Sequence, residues 1–326
     1  MTRIAVLDDW QGIAEAAADW SGVRAQAEII FFRDACASPD ATVAALRDFD
    51  IILAMRERTR LHADVISRLP RLKLLSFTGA RNAAVDIPAC TAAGVMVCNT
   101  TGTPSSHATA ELALGLLLAA SRHLVAGDTE MRAGRFQQNV PPGVELAGKT
   151  LGLIGLGTIG GRVARYALAM EMKVLAWSQN LTTERAASVG ATRVEKAALL
   201  AQADAISIHL VLSERTRHIV GAADIAAMKP GALLINTSRG GHVDTDALVA
   251  ALNENRIRAA IDVYDSEPLP ADHPLRRTPN SLLSPHLGYV TSDNMPALYR
   301  VSVENLVAWL AGAPIRVMNP EVKPRP

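Results

Sequence analysis

The sequence predicts an α/β protein of two domains, each a doubly wound parallel sheet, and three observations carry that expectation. The chain has 326 residues, about twice the length of a typical single domain. Short β-branched runs alternate with helical stretches along its length, the pattern of parallel strands covered on both faces. A glycine-rich turn, Gly155-Leu156-Gly157-Thr158-Ile159-Gly160, stands between an apolar strand and a helical stretch.

In the first series, residues 4–7, 28–32, 51–54, 72–77 and 95–98 read as strands, with helical segments such as 41–47 and 86–93 between them. A second series begins after Lys149 with TLGLIGLG and continues through 174–177, 205–210, 232–236, 259–263 and 281–284. These are six strands in order, two mononucleotide-binding halves of three, which make a Rossmann sheet. The apolar stretch 108–120 contains Glu111 and is shorter than the roughly 20 residues that cross a bilayer, so it reads as a buried helix. That helix starts near Ser105, is apolar nearly all round, and is expected at a domain or subunit interface. Residues 294–310 read as a last helix before a Pro-rich tail from Pro314, so the chain is expected to return to its first domain.

Composition narrows the class. Apolar residues make up 49% of the chain and charged ones 20%, which excludes wholesale disorder. The net charge of +1 is built from scattered residues, with no basic stripe for nucleic acid. Cys36, Cys90 and Cys98 form no CxxC or Cys/His pairing, and His62, His107, His123, His218, His242 and His273 have no mutual spacing suited to a metal. No metal is expected, and those histidines read as structural or exposed. The apolar run at the N-terminus stops at Asp8 and Asp9, too short for a signal peptide, and a reducing cytoplasm is the expected home.

The glycine turn has a mechanism. Gly155 permits the tight turn, Gly157 lets the backbone approach a pyrophosphate, and Gly160 lets helix and strand pack closely. The helix N-terminus then offers free N–H groups and positive dipole to the anion. A carboxylate at the end of the next strand normally takes the adenosine ribose hydroxyls; here Ser178 stands there, with Gln179 and Asn180 behind it. The missing acid removes the repulsion of a 2′-phosphate, yet the nearest cation in sequence is Arg185. NAD is therefore the expected cofactor, with NADP left open.

Three later segments carry polar residues at the ends of predicted strands, where open α/β sheets bind ligands: Asn236-Thr237-Ser238-Arg239-Gly240, Asp262-Val263-Tyr264-Asp265-Ser266-Glu267-Pro268 and Ser284-Pro285-His286-Leu287-Gly288. Hydride transfer at a secondary alcohol needs a base for the hydroxyl proton, a cation for the carboxylate, and a group that keeps the base in its working form. His286, Arg239 and Glu267 supply those three types.

At this point the chain resembles the D-isomer-specific 2-hydroxyacid dehydrogenases, from about Leu69 to its end. The likeness is dense in GKTLGLIGLGTIG, MKPGALLINTSRGGHVDTDAL, AAIDVYDSEPLP and SPHLGY. It implies a Rossmann cofactor domain, residues 101–294, inserted into a flavodoxin-like substrate domain formed by 1–100 plus 295–326. It also implies catalytic Arg239, Glu267 and His286, a small 2-hydroxy or 2-oxo acid as substrate, and a homodimer. By the same matching Asp262 meets the nicotinamide carboxamide, Thr109 lies near the nicotinamide ring, and His209 with Leu210 lines the adenosine side. Thr158, Ile159, Thr237, Ser238, His286 and Gly288 complete the expected cofactor contacts.

Departures from the family pattern are informative. Val211 stands where a Pro is common, and Asn255 where a Gly often ends a helix, a left-handed position that Asn tolerates best. The loop that commonly reads Gly-Ala-Gly and meets the substrate carboxylate is here Gly79-Ala80-Arg81-Asn82-Ala83. Arg81 there suggests a more anionic or polar substrate; the alternative is that it points away and pairs with Asp86 or water. Arg56 and Arg58, in IILAMRER, are weaker candidates of the same kind, and at least one of them is expected on the surface. Among related activities, formate oxidation would carry Gln in place of Glu267, whereas phosphite and phosphoglycerate oxidation share the triad. A dinucleotide-sensing binding protein resembling the C-terminal-binding-protein co-repressors is the reading from a different class.

Overall fold

A computed structural model describes residues 1–101 and 106–323. The sequence-expected helix start at Ser105 and the last three residues of the tail lie outside the described residues. The chain divides into two compact units, Met1–Pro104 with Thr291–Pro326, and Ser105–Val290.

The first unit is built on five parallel strands, β1 (Thr2–Val6), β2 (Ala27–Phe31), β3 (Ile51–Ala54), β4 (Leu74–Phe77) and β5 (Met96–Asn99), in the order β2-β1-β3-β4-β5. That is the flavodoxin-like order. β3 and β4 are buried at every residue, which is why they lack the alternation of a one-sided strand. The helix Asn294–Leu310 closes this unit, and its fully buried Asn305 donates to the Asn99 carbonyl at 2.8 Å. Asn319, also fully buried, accepts from the Val97 N–H at 2.8 Å and donates to the Val95 carbonyl at 3.0 Å. The tail thus satisfies the outer edge of β5, which would otherwise present unpaired backbone groups.

The second unit holds seven parallel strands, β6 (Thr150–Ile154), β7 (Lys173–Trp177), β8 (Thr192–Arg193), β9 (Ala205–Ile208), β10 (Leu233–Asn236), β11 (Arg258–Ile261) and β12 (Ser281–Leu283), in the order β12-β11-β10-β9-β6-β7-β8. The six strands expected from sequence become seven. β8 is the third strand of the dinucleotide order; it has only two residues, both exposed, and so leaves no apolar signal. Helix Ser106–Ser121 buries Ala110, Ala113, Leu116 and Leu117 against this unit's own core and packs on helix Thr158–Ala169. It is not covered all round: His107, Glu111 and Gly115 form an exposed stripe at helical spacing. Asn255 has φ +53°, the left-handed position expected of it. Among the described residues no single helix is long and apolar enough to cross a membrane.

Candidate active site

The turn after β6 is shaped by close contact on one side and space on the other. Gly155 has φ +102°, and a Cβ there would lie 2.5 Å from the His209 carbonyl oxygen, so the residue that follows β9 presses directly on the turn. A Cβ on Gly160 would sit 2.2 Å from the Gly155 carbonyl oxygen. One on Gly157 would meet nothing within 4 Å among the described residues: the space above the turn is open to them, beside the first N–H groups of the helix that begins at Thr158 and Ile159. Ser178 follows β7 and is half-buried, while Gln179 and Asn180 are exposed. Arg185, only the nearest cation by sequence, folds back to the turn, with Nη2 3.4 Å from the Leu156 carbonyl oxygen.

Past β9, His209 Nε2 meets Ser207 Oγ at 2.9 Å, and desolvation lowers the imidazole to about 4, so it is neutral at pH 7. Ser238 Oγ donates to the Leu210 carbonyl at 2.6 Å. The neighbouring Thr237 hydroxyl is buried with no hydrogen-bond partner among the described residues, a donor and acceptor left over for a ligand. The open glycine turn and this unpartnered hydroxyl fit a dinucleotide.

After β10, Asn236 folds the chain into a tight loop, accepting from the Ser238 N–H at 3.0 Å and donating to the Arg239 carbonyl at 2.8 Å. Arg239 Nη1 donates to the Ser238 carbonyl at 2.7 Å. Next to it, a Cβ on Gly240 would fall 2.1 Å from the Tyr264 carbonyl carbon and 2.4 Å from the Asp265 nitrogen. The loops after β10 and β11 therefore meet backbone to backbone, possible only with glycine.

Glu267 Oε1 accepts from the Tyr264 N–H at 2.9 Å, and its Oε2 lies 2.5 Å from His286 Nδ1, with the two side chains 15% and 12% exposed. Tyr264 is itself anchored, its hydroxyl donating to the Ile261 and Ser284 carbonyls at 3.1 and 2.9 Å; burial pushes its phenol above the usual range. His286 has φ +55° and meets the Tyr289 ring edge-on at 5.6 Å. Asp262, fully buried, accepts from Ser284 Oγ at 2.5 Å and from the Leu287 and Gly288 N–H groups at 2.8 and 3.0 Å. Burial raises its pKa against those bonds. Thr109 Oγ1 donates to the Gly288 carbonyl at 2.8 Å.

The remaining candidates lie on strand-end loops of the first unit. Arg56, φ +50°, donates its backbone N–H to Thr78 Oγ1 at 2.9 Å, and its guanidinium lies over Gly79, where a Cβ would be 2.2 Å from Nη1. Asn82 donates to the Arg56 carbonyl at 2.5 Å, and the Ala80 carbonyl accepts from Asn99 at 3.1 Å. Arg81 is exposed and pairs with no carboxylate among the described residues; Asp86 instead caps helix Ile87–Ala92 through the Ala89 N–H at 2.9 Å. The expected surface role for Arg56 or Arg58 does not hold. Arg56 is 19% exposed at its side chain, and Arg58 is 6% exposed, stacked 4.2 Å over the Trp10 ring with Nη1 donating to the Asp8 carbonyl at 2.7 Å. Among the described residues no three His, Cys, Asp or Glu side chains gather as metal ligands.

Sequence reasoning missed the Tyr264 N–H that holds Glu267, a backbone group with no side-chain signature, and it named Arg185 only as the nearest cation, without its contact at the glycine turn.

Residues 114–288 match the family model described as D-isomer specific 2-hydroxyacid dehydrogenase, NAD binding domain. The chain is 39% identical over 272 residues to a glyoxylate reductase of Aeropyrum pernix, covering 81% of each. It is 34% identical to a D-3-phosphoglycerate dehydrogenase of Archaeoglobus fulgidus over 83% of its own length and 52% of that protein, so it spans about half of this relative. A solved phosphoglycerate oxidoreductase of Vibrio cholerae superposes with a TM-score of 0.90 at 36% identity, over 96% of this chain and 100% of that one. The chain belongs to the D-isomer specific 2-hydroxyacid dehydrogenase family and carries that family's NAD-binding domain.

Proposed function

We propose that the chain catalyses hydride exchange between NAD(H) and the 2-position of a small D-2-hydroxy acid or 2-oxo acid, with His286, Glu267 and Arg239 as its working side chains. The observation that carries this reading is the His286 Nδ1–Glu267 contact of 2.5 Å at a strand end of a dinucleotide-binding sheet. The nicotinamide, when bound, supplies or accepts the hydride. With Nδ1 engaged by Glu267, His286 has Nε2 left to give a proton to, or take one from, the substrate's 2-oxygen. Glu267, itself held by the Tyr264 N–H, stabilises the imidazolium and fixes the ring. Arg239 offers a planar fork to the substrate carboxylate or carbonyl oxygen.

The turn Gly155–Gly160 would hold the pyrophosphate, Ser178 and Gln179 the ribose, and His209 with Leu210 the adenosine side. Thr237, Ser238, Asp262, Thr109 and Gly288 would line the nicotinamide half. Arg56 and the loop Gly79–Asn82 would take the substrate's carboxylate and its further polar groups. The second unit is on this reading the cofactor domain and the first the substrate domain. A panel of 2-oxo acids reduced with NADH, followed at the reduced cofactor's absorbance, tests the activity. Reduction of no 2-oxo acid would refute it.

The same reading includes a homodimer and cytoplasmic residence. Helix Leu124–Arg132 buries none of its residues, and Leu124, Val125, Met131 and Phe136 are 56%, 57%, 57% and 70% exposed, apolar surface that a second copy would cover. Light scattering on the eluting peak of the full chain measures this. The three cysteines are free thiols, compatible with a reducing compartment.

A further inference from the structure

His242 is fully buried, yet neither of its ring nitrogens has a hydrogen-bond partner of normal geometry among the described residues. Unpaired polar atoms in an interior cost free energy, and an apolar side chain of similar size would fill the same space without that cost. Burial, and after it the charge of Arg239, lower the pKa of the imidazole, so the ring is neutral at pH 7.

Its place in the fold is specific. Gly240–His242 makes one 3₁₀ turn directly after Arg239, and the His242 N–H donates to the Arg239 carbonyl at 3.2 Å. The same carbonyl accepts from Asn236 Nδ2 at 2.8 Å. The turn is held from its other side as well: the His218 N–H donates to the Gly241 carbonyl at 2.8 Å, and the Val220 N–H to the His242 carbonyl at 3.0 Å. A Cβ on Gly241 would lie 3.3 Å from the Leu212 side chain. The His242 ring thus fills the space between the segment that follows β9 and the loop that carries Arg239, and the Val211 and Arg239 carbonyls both face it. A neutral imidazole has one N–H to give to such acceptors. Arg239 itself has an extended backbone, φ −148° and ψ 146°, immediately before the turn, so a small rotation there swings the far end of a long side chain.

We infer that His242 is a positioning residue for the reaction: its ring, wedged behind the Arg239 main chain, sets where that guanidinium meets the substrate's carboxylate or carbonyl oxygen. The inference rests on the reading of Arg239 as the substrate's cationic partner. His242 acts through Arg239 and exchanges no proton with the substrate. Its unpaired nitrogens are the stability given up for a fixed geometry, since misplacing a binding group by about 1 Å can cost roughly 100-fold in rate.

His242→Leu removes both nitrogens and keeps apolar bulk, whereas His242→Gln keeps a donor and an acceptor. Both are compared with the parent in steady-state reduction by NADH of glyoxylate, or of whichever 2-oxo acid the parent reduces best, beside NADH titration and thermal unfolding. In His242→Leu, kcat/KM should fall by about 10- to 100-fold, mostly through a higher KM for the acid, with the NADH dissociation constant within about twofold of the parent's. Its melting temperature should match or exceed the parent's, because two buried unpaired atoms are gone. His242→Gln should recover part of the lost kcat/KM. A residue that only fills space would move stability and activity together. Unchanged kcat/KM in His242→Leu overturns the positioning role; so does a loss that comes with a lower melting temperature and no recovery in His242→Gln, or one matched by weaker NADH binding. Normal kinetics in Arg239→Lys overturn the reading of Arg239 and this inference together, whereas an impaired Arg239→Lys beside a normal His242→Leu overturns the inference alone.

Discussion

Replacing Asp8 by Asn changes one buried oxygen to an amide and should alter the pH dependence of stability in a definite direction. Asp8 follows β1, is 2% exposed, has φ +58°, and accepts from Thr59 Oγ1 at 3.0 and 2.9 Å. Burial raises its pKa from 3.8 to about 6, although Thr59 and Arg58 oppose the shift. Below pH 3.8 the carboxyl is neutral in both folded and unfolded chains; above about 6 the folded chain must hold a buried carboxylate. Between those values the native state binds more protons than the unfolded one, so stability falls as pH rises. At 1.36 kcal/mol per pKa unit the window is worth on the order of 3 kcal/mol. Asn keeps an oxygen for Thr59, tolerates the left-handed backbone, and does not titrate. The stability of Asp8→Asn relative to the parent should therefore grow by about 3 kcal/mol between pH 4 and pH 7. Urea unfolding at half-unit pH steps, followed by tryptophan fluorescence, measures it, since Trp10 lies under Arg58 and reports on this loop. A difference that stays flat across the window, or turns against the variant as pH rises, refutes the buried-carboxylate argument.

His286→Ala should lower turnover by about 10²- to 10⁴-fold with NADH affinity kept, and steady-state rates beside a binding titration separate the two. Glu267→Gln retains an oxygen for the Tyr264 N–H but loses the charge facing His286; a turnover drop of roughly tenfold or more is expected in the same assay. Arg239→Lys keeps the charge without the fork, so kcat/KM should fall by about 1.5–3 kcal/mol in transition-state terms while the NADH dissociation constant stays put. Gly240→Ala forces a Cβ to within 2.1 Å of the Tyr264 carbonyl carbon; thermal unfolding should show a loss of about 1–3 kcal/mol, and activity should fall further because both loops shift.

Legibility in the sequence followed the physics of each element. Strand 51–54 and helix 294–310 were readable to the residue, because one is an unbroken apolar run and the other a long periodic segment. β8 was not, since two exposed residues at a sheet edge need no apolar side chain. At the site, residue type and strand-end position singled out Arg239, Glu267 and His286, and the fold brings the last two within 2.5 Å. What holds them could not be read: the Tyr264 N–H is a backbone group, and the Gly240 contact with Tyr264 depends on how two loops cross. Arg58 misled for a related reason. A basic residue past a strand looks solvated until the Trp10 ring and the Asp8 carbonyl, about 50 positions earlier, are found around it.

The anchoring of β5 by Asn319 bears on the order in which the molecule is made. The partner of the Val97 N–H lies 222 positions downstream, which at the usual 5–20 residues per second is roughly 10–45 s of synthesis. During that interval the contiguous unit Ser105–Val290 emerges whole and can fold, while the unit begun first waits with one strand edge open. An open edge of buried-type strands pairs readily with other chains. Nascent or truncated chains ending before Asn305 should accordingly be lost to aggregation rather than persist as soluble, inactive protein. In this molecule residues near position 319 decide whether a sheet begun near position 2 stays in solution.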